Sequence, residues 1–263
     1  MKKATLFVLG CTFLLAACGG NDTMTTPPPP PATGQITLTG STTFNGPHAG
    51  QTIRAALVRA SDNATLDIKK GTVAATGTSP AFSFTFTPTV DLAVAYKIRY
   101  WADHNSNDAC DAPPTDHQWE VDAPAGQTAV SVTHNTTFTN VCATFTFPLT
   151  FVGSTTFNGP HAGNAFKAAL VRGTATTALE VVTGTVAAAG TNPAFSVTFV
   201  PRLVIGESYS VKLWMDFNAN GTCDAAPADH QWSVPIPADP STHQSTVTYA
   251  HNTTFTSVCA WFP

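Results

Sequence analysis

An eleven-residue stretch occurs twice without change. Gly40-Ser41-Thr42-Thr43-Phe44-Asn45-Gly46-Pro47-His48-Ala49-Gly50 returns as Gly153 to Gly163, 113 residues later. The correspondence continues without a gap to Trp119 and Trp232, and 44 of those 80 positions are identical. It then shifts by four residues, and His134-Asn135-Thr136-Thr137-Phe138-Thr139 returns as His251 to Thr256. The chain is therefore two copies of one domain, each of about 110 residues. Their expected bounds are 35–147 and 148–263, joined near Phe147-Pro148 with almost no linker.

Each copy reads as all-β. Phe82, Phe84 and Phe86 alternate with Ser83 and Thr85, and Phe195, Val197 and Phe199 repeat the pattern. Tyr96, Ile98 and Tyr100 alternate with Lys97, Arg99 and Trp101, and Val130 and Val132 alternate with Ser131 and Thr133. A period of two sends one set of side chains to a buried face and the other toward solvent. Turn signals at Asn45-Gly46-Pro47, Ser61-Asp62-Asn63, Thr78-Ser79-Pro80 and Ala123-Pro124-Ala125-Gly126 separate the strands. No segment after the N-terminal apolar stretch holds a helical period. Seven or eight short strands in about 110 residues predict two tandem β-sandwich domains.

The run Ala81-Phe82-Ser83-Phe84, followed by Tyr96-Lys97-Ile98-Arg99-Tyr100-Trp101-Ala102-Asp103, carries a resemblance. It is similar to the pre-albumin-like (transthyretin or Cna-B type) sandwiches of bacterial surface proteins. In those, a Tyr-x-Val-x-Val strand leads into an Asp/Asn-rich turn. The resemblance implies a sandwich fold, and an immunoglobulin-like sandwich fits the same pattern. No Lys/Asn pair of the isopeptide kind is identifiable.

The N-terminus reads as an address. Lys2 and Lys3 precede an apolar stretch, Ala4 to Ala17, too short to span a bilayer as a permanent helix. Leu15-Ala16-Ala17-Cys18 resembles the lipobox of bacterial lipoproteins. That resemblance implies removal of residues 1–17 as a signal peptide and a lipid on Cys18. Gly19 after the cysteine points, by enterobacterial-type sorting, to the outer membrane or cell surface. Residues 18–34 form the lipidated cysteine and a tether, in which Pro27 to Pro31 favour extended polyproline II. The membrane is thus one expected partner, and an unnamed surface ligand or envelope protein is the other. Without residues 1–17 the chain carries 10 basic and 16 acidic residues, a net of −6. With no basic patch, nucleic acid is not an expected partner.

Export makes disulfides the expected state of the remaining cysteines. Cys11 leaves with the signal peptide. Cys110, Cys142, Cys223 and Cys259 allow three connectivities, and the repeat favours Cys110–Cys142 and Cys223–Cys259. Each closes a loop of roughly 30–40 residues and contributes about 3–4 kcal/mol by the chain-entropy argument.

Two stretches offer metal ligands of the hard kind. Asp216, Asn218 and Asn220 present oxygens at alternate positions, Gly221 allows a left-handed turn, Asp224 follows, and Asp229 is placed to fold back. The first copy offers Asp103, Asn105, Asn107, Asp111 and Asp116, with Asp108 in place of the glycine. Alternating oxygens suit Ca²⁺. They resemble the first half of an EF-hand loop, but Pro114 or Pro227 stands at the twelfth position and no helices flank the stretch. A structural calcium loop at a strand end is the expectation. The bland alternative is a solvated turn held by its own side chains. Trp101 and Trp214 are expected to sit beneath these loops.

Histidines form a second candidate set. His48, His117 and His134 match His161, His230 and His251, and three imidazoles are a donor set for copper or zinc. With Cys110 and Cys142 a Cys₂His₂ zinc site is formally open. Against this, the histidines are scattered, and the parity of His134 and His251 suits satisfied histidines at the core edge. His104, whose counterpart is Phe217, and His243 read as surface residues. No Gly-x-Ser-x-Gly, His-Glu-x-x-His or phosphate loop is present. The adjacent pairs Asp116-His117 and Asp229-His230 point to opposite faces of a strand. The expected function is non-enzymatic: a cell-envelope lipoprotein displaying calcium-stabilised sandwiches for binding, adhesion or a structural role. The alternative is copper or zinc handling by the repeated histidines.

Overall fold

The computed structural model describes residues 32–238 and 243–262. The expected signal peptide, Cys18 and the proline run lie outside the described residues. Thr33 and Gly34, at the end of the expected tether, pair with Asp91 and Val90.

Besides the two-residue pair just named, seven strands build the first repeat: β1 (Thr37–Gly40), β2 (Thr52–Arg59), β3 (Thr65–Thr72), β4 (Phe82–Thr85), β5 (Tyr96–Ala102), β6 (His117–Ala123) and β7 (Ala129–Val132). Seven build the second: β8 (Thr146–Gly153), β9 (Ala165–Arg172), β10 (Glu180–Thr185), β11 (Phe195–Val204), β12 (Tyr209–Met215), β13 (His230–Ile236) and β14 (Thr246–Tyr249). In the first repeat one sheet runs β3-β2-β5-β6 and the other β4-β1-β7; the second repeats this as β10-β9-β12-β13 and β11-β8-β14. All these pairs are antiparallel except β1 with β7 and β8 with β14. An immunoglobulin sandwich puts its first, second, fourth and fifth strands in one sheet. Here the first strand pairs with the fourth and seventh, an order that differs from the immunoglobulin one.

Alternation decides the burial. Phe82, Phe84, Phe86, Tyr96, Ile98 and Tyr100 all point into the first sandwich. Gly40 is required by contact, since a Cβ there would stand 2.2 Å from the Phe82 ring. Short helical turns appear at Asn45–His48, Cys142–Phe145 and Asn158–His161, four residues each and too short to show a period. No helix of the described residues is long and apolar enough to cross a membrane.

The repeats share a joint. β8 begins immediately after the turn Cys142–Phe145. Ala56, Val58, Ile68 and Trp101 of the first repeat belong to the same apolar cluster as the core of the second. Arg54, 1% exposed, donates to Ile205 O at 3.2 Å and pairs with Glu207, which also takes Lys70 Nζ at 2.6 Å. Burial works to raise the Glu207 carboxyl, but Lys70 and Arg54 outweigh it and hold it below the usual range. Removing the acid leaves Arg54 buried without its counter-charge. Glu207→Ala should therefore lower unfolding stability by about 3 kcal/mol, read from the urea midpoint.

Candidate metal centre

The unchanged eleven residues are the ones that build the site. Ser41 Oγ accepts from Thr43 N and starts a 3₁₀ turn, Thr42–Phe44, that runs into the helical turn Asn45–His48. Asn45 Nδ2 donates to Ala75 O and Thr78 O at 3.1 and 2.7 Å, which fixes this segment to the loop after β3. Thr43 Oγ1 accepts from His134 N at 2.8 Å. Phe44 is fully buried and lies edge-on to Trp119 and His134 at 5.4 and 5.6 Å. One segment therefore presents His48, positions His134 and supplies the aromatic floor.

Around His48, which has no exposure, the imidazoles converge. Its Nε2 lies 3.1 Å from His117 Nδ1, and its Nδ1 lies 2.7 Å from Gln51 Oε1. Since the Gln51 oxygen only accepts, His48 Nδ1 carries the proton and Nε2 offers its lone pair. The His134 ring is 5.1 Å from His48 and 5.8 Å from His117. His104 stacks on His117 at 4.4 Å, and one donor atom from each of His48, His104 and His117 lies within 4.8 Å of the others. The second repeat reproduces the contact between the first two imidazoles and gathers a different third one. His161 Nε2 is 3.0 Å from His230 Nδ1, and the donor atoms of His161, His230 and His251 lie within 4.8 Å of one another. Phe138 and Phe255 stack on the far sides of His117 and His230, each at 4.4 Å.

Burial keeps these rings neutral. Desolvation, with a weaker push from neighbouring imidazoles, lowers His48 to about 4 despite its bond to Gln51; the same causes lower His161 to about 3. His117, His134, His230 and His251 are lowered too, with desolvation the first cause in each. Neutral imidazole is the form that binds metal. The Nε2 atoms of His134 and His251 are buried with no hydrogen-bond partner, as is His161 Nδ1. This corrects the expectation of satisfied core-edge histidines, since an unpaired buried nitrogen is costly unless something binds it.

The Asp/Asn loops follow β5 and β12. Asp103 accepts from Asn107 N and Asp108 N, and Asp116 from His104 N and Asp111 N. Asn105 and Asn107 both donate to Asp111 Oδ2, at 2.8 and 2.7 Å. In the second copy Asp216 accepts from Asn220 N and Gly221 N, and Asp229 from Trp214 Nε1, Phe217 N and Asp224 N. Asn218 and Asn220 donate to Asp224 Oδ2. Gly221 has φ +77°, and Asp108 takes +58° at the same place. Cys110 bonds Cys142 and Cys223 bonds Cys259, so among the described residues no cysteine is free to join a Cys₂His₂ centre. Trp101 is fully buried and packs against Phe145.

The block Asp116-His117-Gln118-Trp119 divides its work by residue. Asp116 closes the loop and His117 joins the imidazoles. Gln118 accepts from Val141 N at 2.7 Å and donates to Asp111 O, tying the loop to the strap before Cys142. Trp119 enters the core and donates to Asn135 O. Sequence reasoning missed His104 because its counterpart is not a histidine. Gln51, three residues after His48, was the legible signal left unused.

No protein-family model matches the chain, and no curated protein matches it. Among solved structures it is similar to a family-26 carbohydrate-binding module from Eubacterium rectale in complex with maltoheptaose. Identity there is 12% and the TM-score 0.24, over 87% of this chain and 100% of that one. It is also similar to the tip fimbrial protein Mfa3 of Porphyromonas gingivalis, with 9% identity and TM-score 0.23 over 77% and 82% of the two chains. The shaft pilin of Lactobacillus rhamnosus gives 12% and 0.21 over 84% and 99%. Likenesses this weak carry no argument about function.

Between about pH 6.5 and the lowered values the unfolded chain takes up protons that the folded histidines refuse. Their contribution to stability is complete above pH 6.5 and is lost as the pH falls toward the folded values. Asp116, raised to about 6 mainly by burial, acts in the opposite sense below pH 6, one group against six. The melting temperature of the metal-free chain should therefore fall between about pH 7 and about pH 5, and His161→Leu should flatten that profile.

Proposed function

We propose that this chain is an envelope-anchored metal-binding protein in which each sandwich repeat holds one copper or zinc ion on its histidines. The observation that carries this reading is the convergence of His161, His230 and His251, with donor atoms within 4.8 Å, matched by the cluster around His48. Neutral imidazoles, an unpaired buried nitrogen and an aromatic surround suit a borderline transition metal. The wider setting is the expected one: a lipid on Cys18 and a proline tether hold two disulfide-stapled sandwiches at the cell surface, where a structural or surface-binding role is compatible with metal binding.

The full chain, purified without chelators, should carry or take up about two zinc or copper ions. His48→Ala and His161→Ala should each lose about one, by elemental analysis and calorimetry. Failure of the wild-type chain to bind either ion stoichiometrically would overturn the reading.

Calcium on the Asp/Asn loops is a separate, structural proposal. It rests on the alternating oxygens of Asp103, Asn105, Asn107 and Asp111 and of Asp216, Asn218, Asn220 and Asp224, and it requires the Asn amides to turn their oxygens inward, since each Nδ2 donates to Asp111 Oδ2 or Asp224 Oδ2. Millimolar Ca²⁺ should then raise the melting temperature, and Asp216→Asn should reduce the rise. An unchanged melting temperature counts against it.

A further inference from the structure

The two centres differ at two positions. His104 in the first repeat corresponds to Phe217 in the second. The replacement leaves the place unmoved. His104 lies 4.4 Å from His117 at an interplanar angle of 14°, and Phe217 lies 4.5 Å from His230 at 14°. From the central histidine the distances are 5.7 Å to His104 and 5.5 Å to Phe217. A ring that can donate a lone pair is exchanged for one that cannot.

The second difference lies behind the central histidine. Gln51 reaches His48 Nδ1 with its oxygen, and its Nε2 lies 3.3 Å from His104 O and 3.4 Å from His104 Nδ1. One side chain therefore holds both histidines. Its counterpart Asn164 is a methylene shorter and donates instead to Asp216 O at 2.7 Å. His161 Nδ1 is left buried without a partner. A hydrogen bond on the distal nitrogen of a metal-binding histidine fixes its tautomer and raises its basicity, an effect worth about 10–100-fold in affinity.

We propose that the centres are specialised: the first gathers His48, His104 and His117, with His134 beside His48 as the further imidazole, for a divalent ion such as Zn²⁺, and the second gathers His161, His230 and His251 against Phe217 and is suited to Cu⁺. This rests on the metal-binding reading above. Zn²⁺ completes four ligands in a closed site. Cu⁺, a d¹⁰ ion of single charge, is content with three and gains little from water. Phe217 withholds a fourth ligand and covers the place where water would supply one. The second centre therefore disfavours the divalent ion without blocking the monovalent one.

Reciprocal exchange tests this in the full chain purified in detergent. Calorimetric titration of the wild-type chain with Zn²⁺ should show one tight site and a second at least about tenfold weaker. His104→Phe should weaken the tight site by about tenfold or more, and Phe217→His should strengthen the weak one. Both residues are exposed, and each variant installs the residue its sister repeat already carries. Competition with a Cu⁺ chelator should show Cu⁺ held after His104→Phe and released after His161→Ala. Equal Zn²⁺ affinities in the wild-type chain, or no response to either exchange, would overturn the specialisation while leaving the metal centres standing. Binding of neither ion would overturn both.

Discussion

A buried carboxylate one residue ahead of a clustered histidine closes each loop. Asp116 has no exposure and accepts backbone N–H groups from His104 and Asp111, so both ends of the excursion between β5 and β6 are tied to one side chain. Asp229 does the same for the second repeat and adds the indole N–H of Trp214. The bond from His104 N brings that residue back beside His117 and lets their rings stack. Loop closure and site assembly are thus one event. The disulfide from Cys110 to Cys142 and the two bonds of Gln118 hold the same loop from the other side.

Much of this was legible. The period of two gave the strands, and the repeat favoured both disulfide pairs, Cys110–Cys142 and Cys223–Cys259. The one-turn helices were not legible, because four residues display no period. Nor was the histidine convergence. His48, His117 and His134 come from a helical turn, a strand start and a strand exit, and only the closing of one sheet over the other brings them together. Parity placed His134 at the core edge but gave no view of what its Nε2 meets.

The Asp/Asn loops teach a related lesson. Alternating oxygens in a sequence fit two chemistries, ion binding and the capture of backbone N–H groups by short side chains. Sequence spacing does not separate them, because both need a tight turn with a left-handed residue. The geometry shows Asp103, Asp116, Asp216 and Asp229 each accepting at least two N–H bonds. Asp111 and Asp224 are the half-buried members, and there the Asn side chains gather.

The ion pair at the joint gives the tandem a direction. Arg54 and Lys70 of the first repeat meet Glu207 of the second. Their counterparts by position are Lys167 and Thr183, and the counterpart of Glu207 is Val94. Exchanging the order of the repeats would set a lysine and a threonine against a valine, and the anchoring triad would vanish. Although the copies are close in sequence, they are not interchangeable blocks. The boundary between them gives each copy its own partner surface, cationic on the first and anionic on the second.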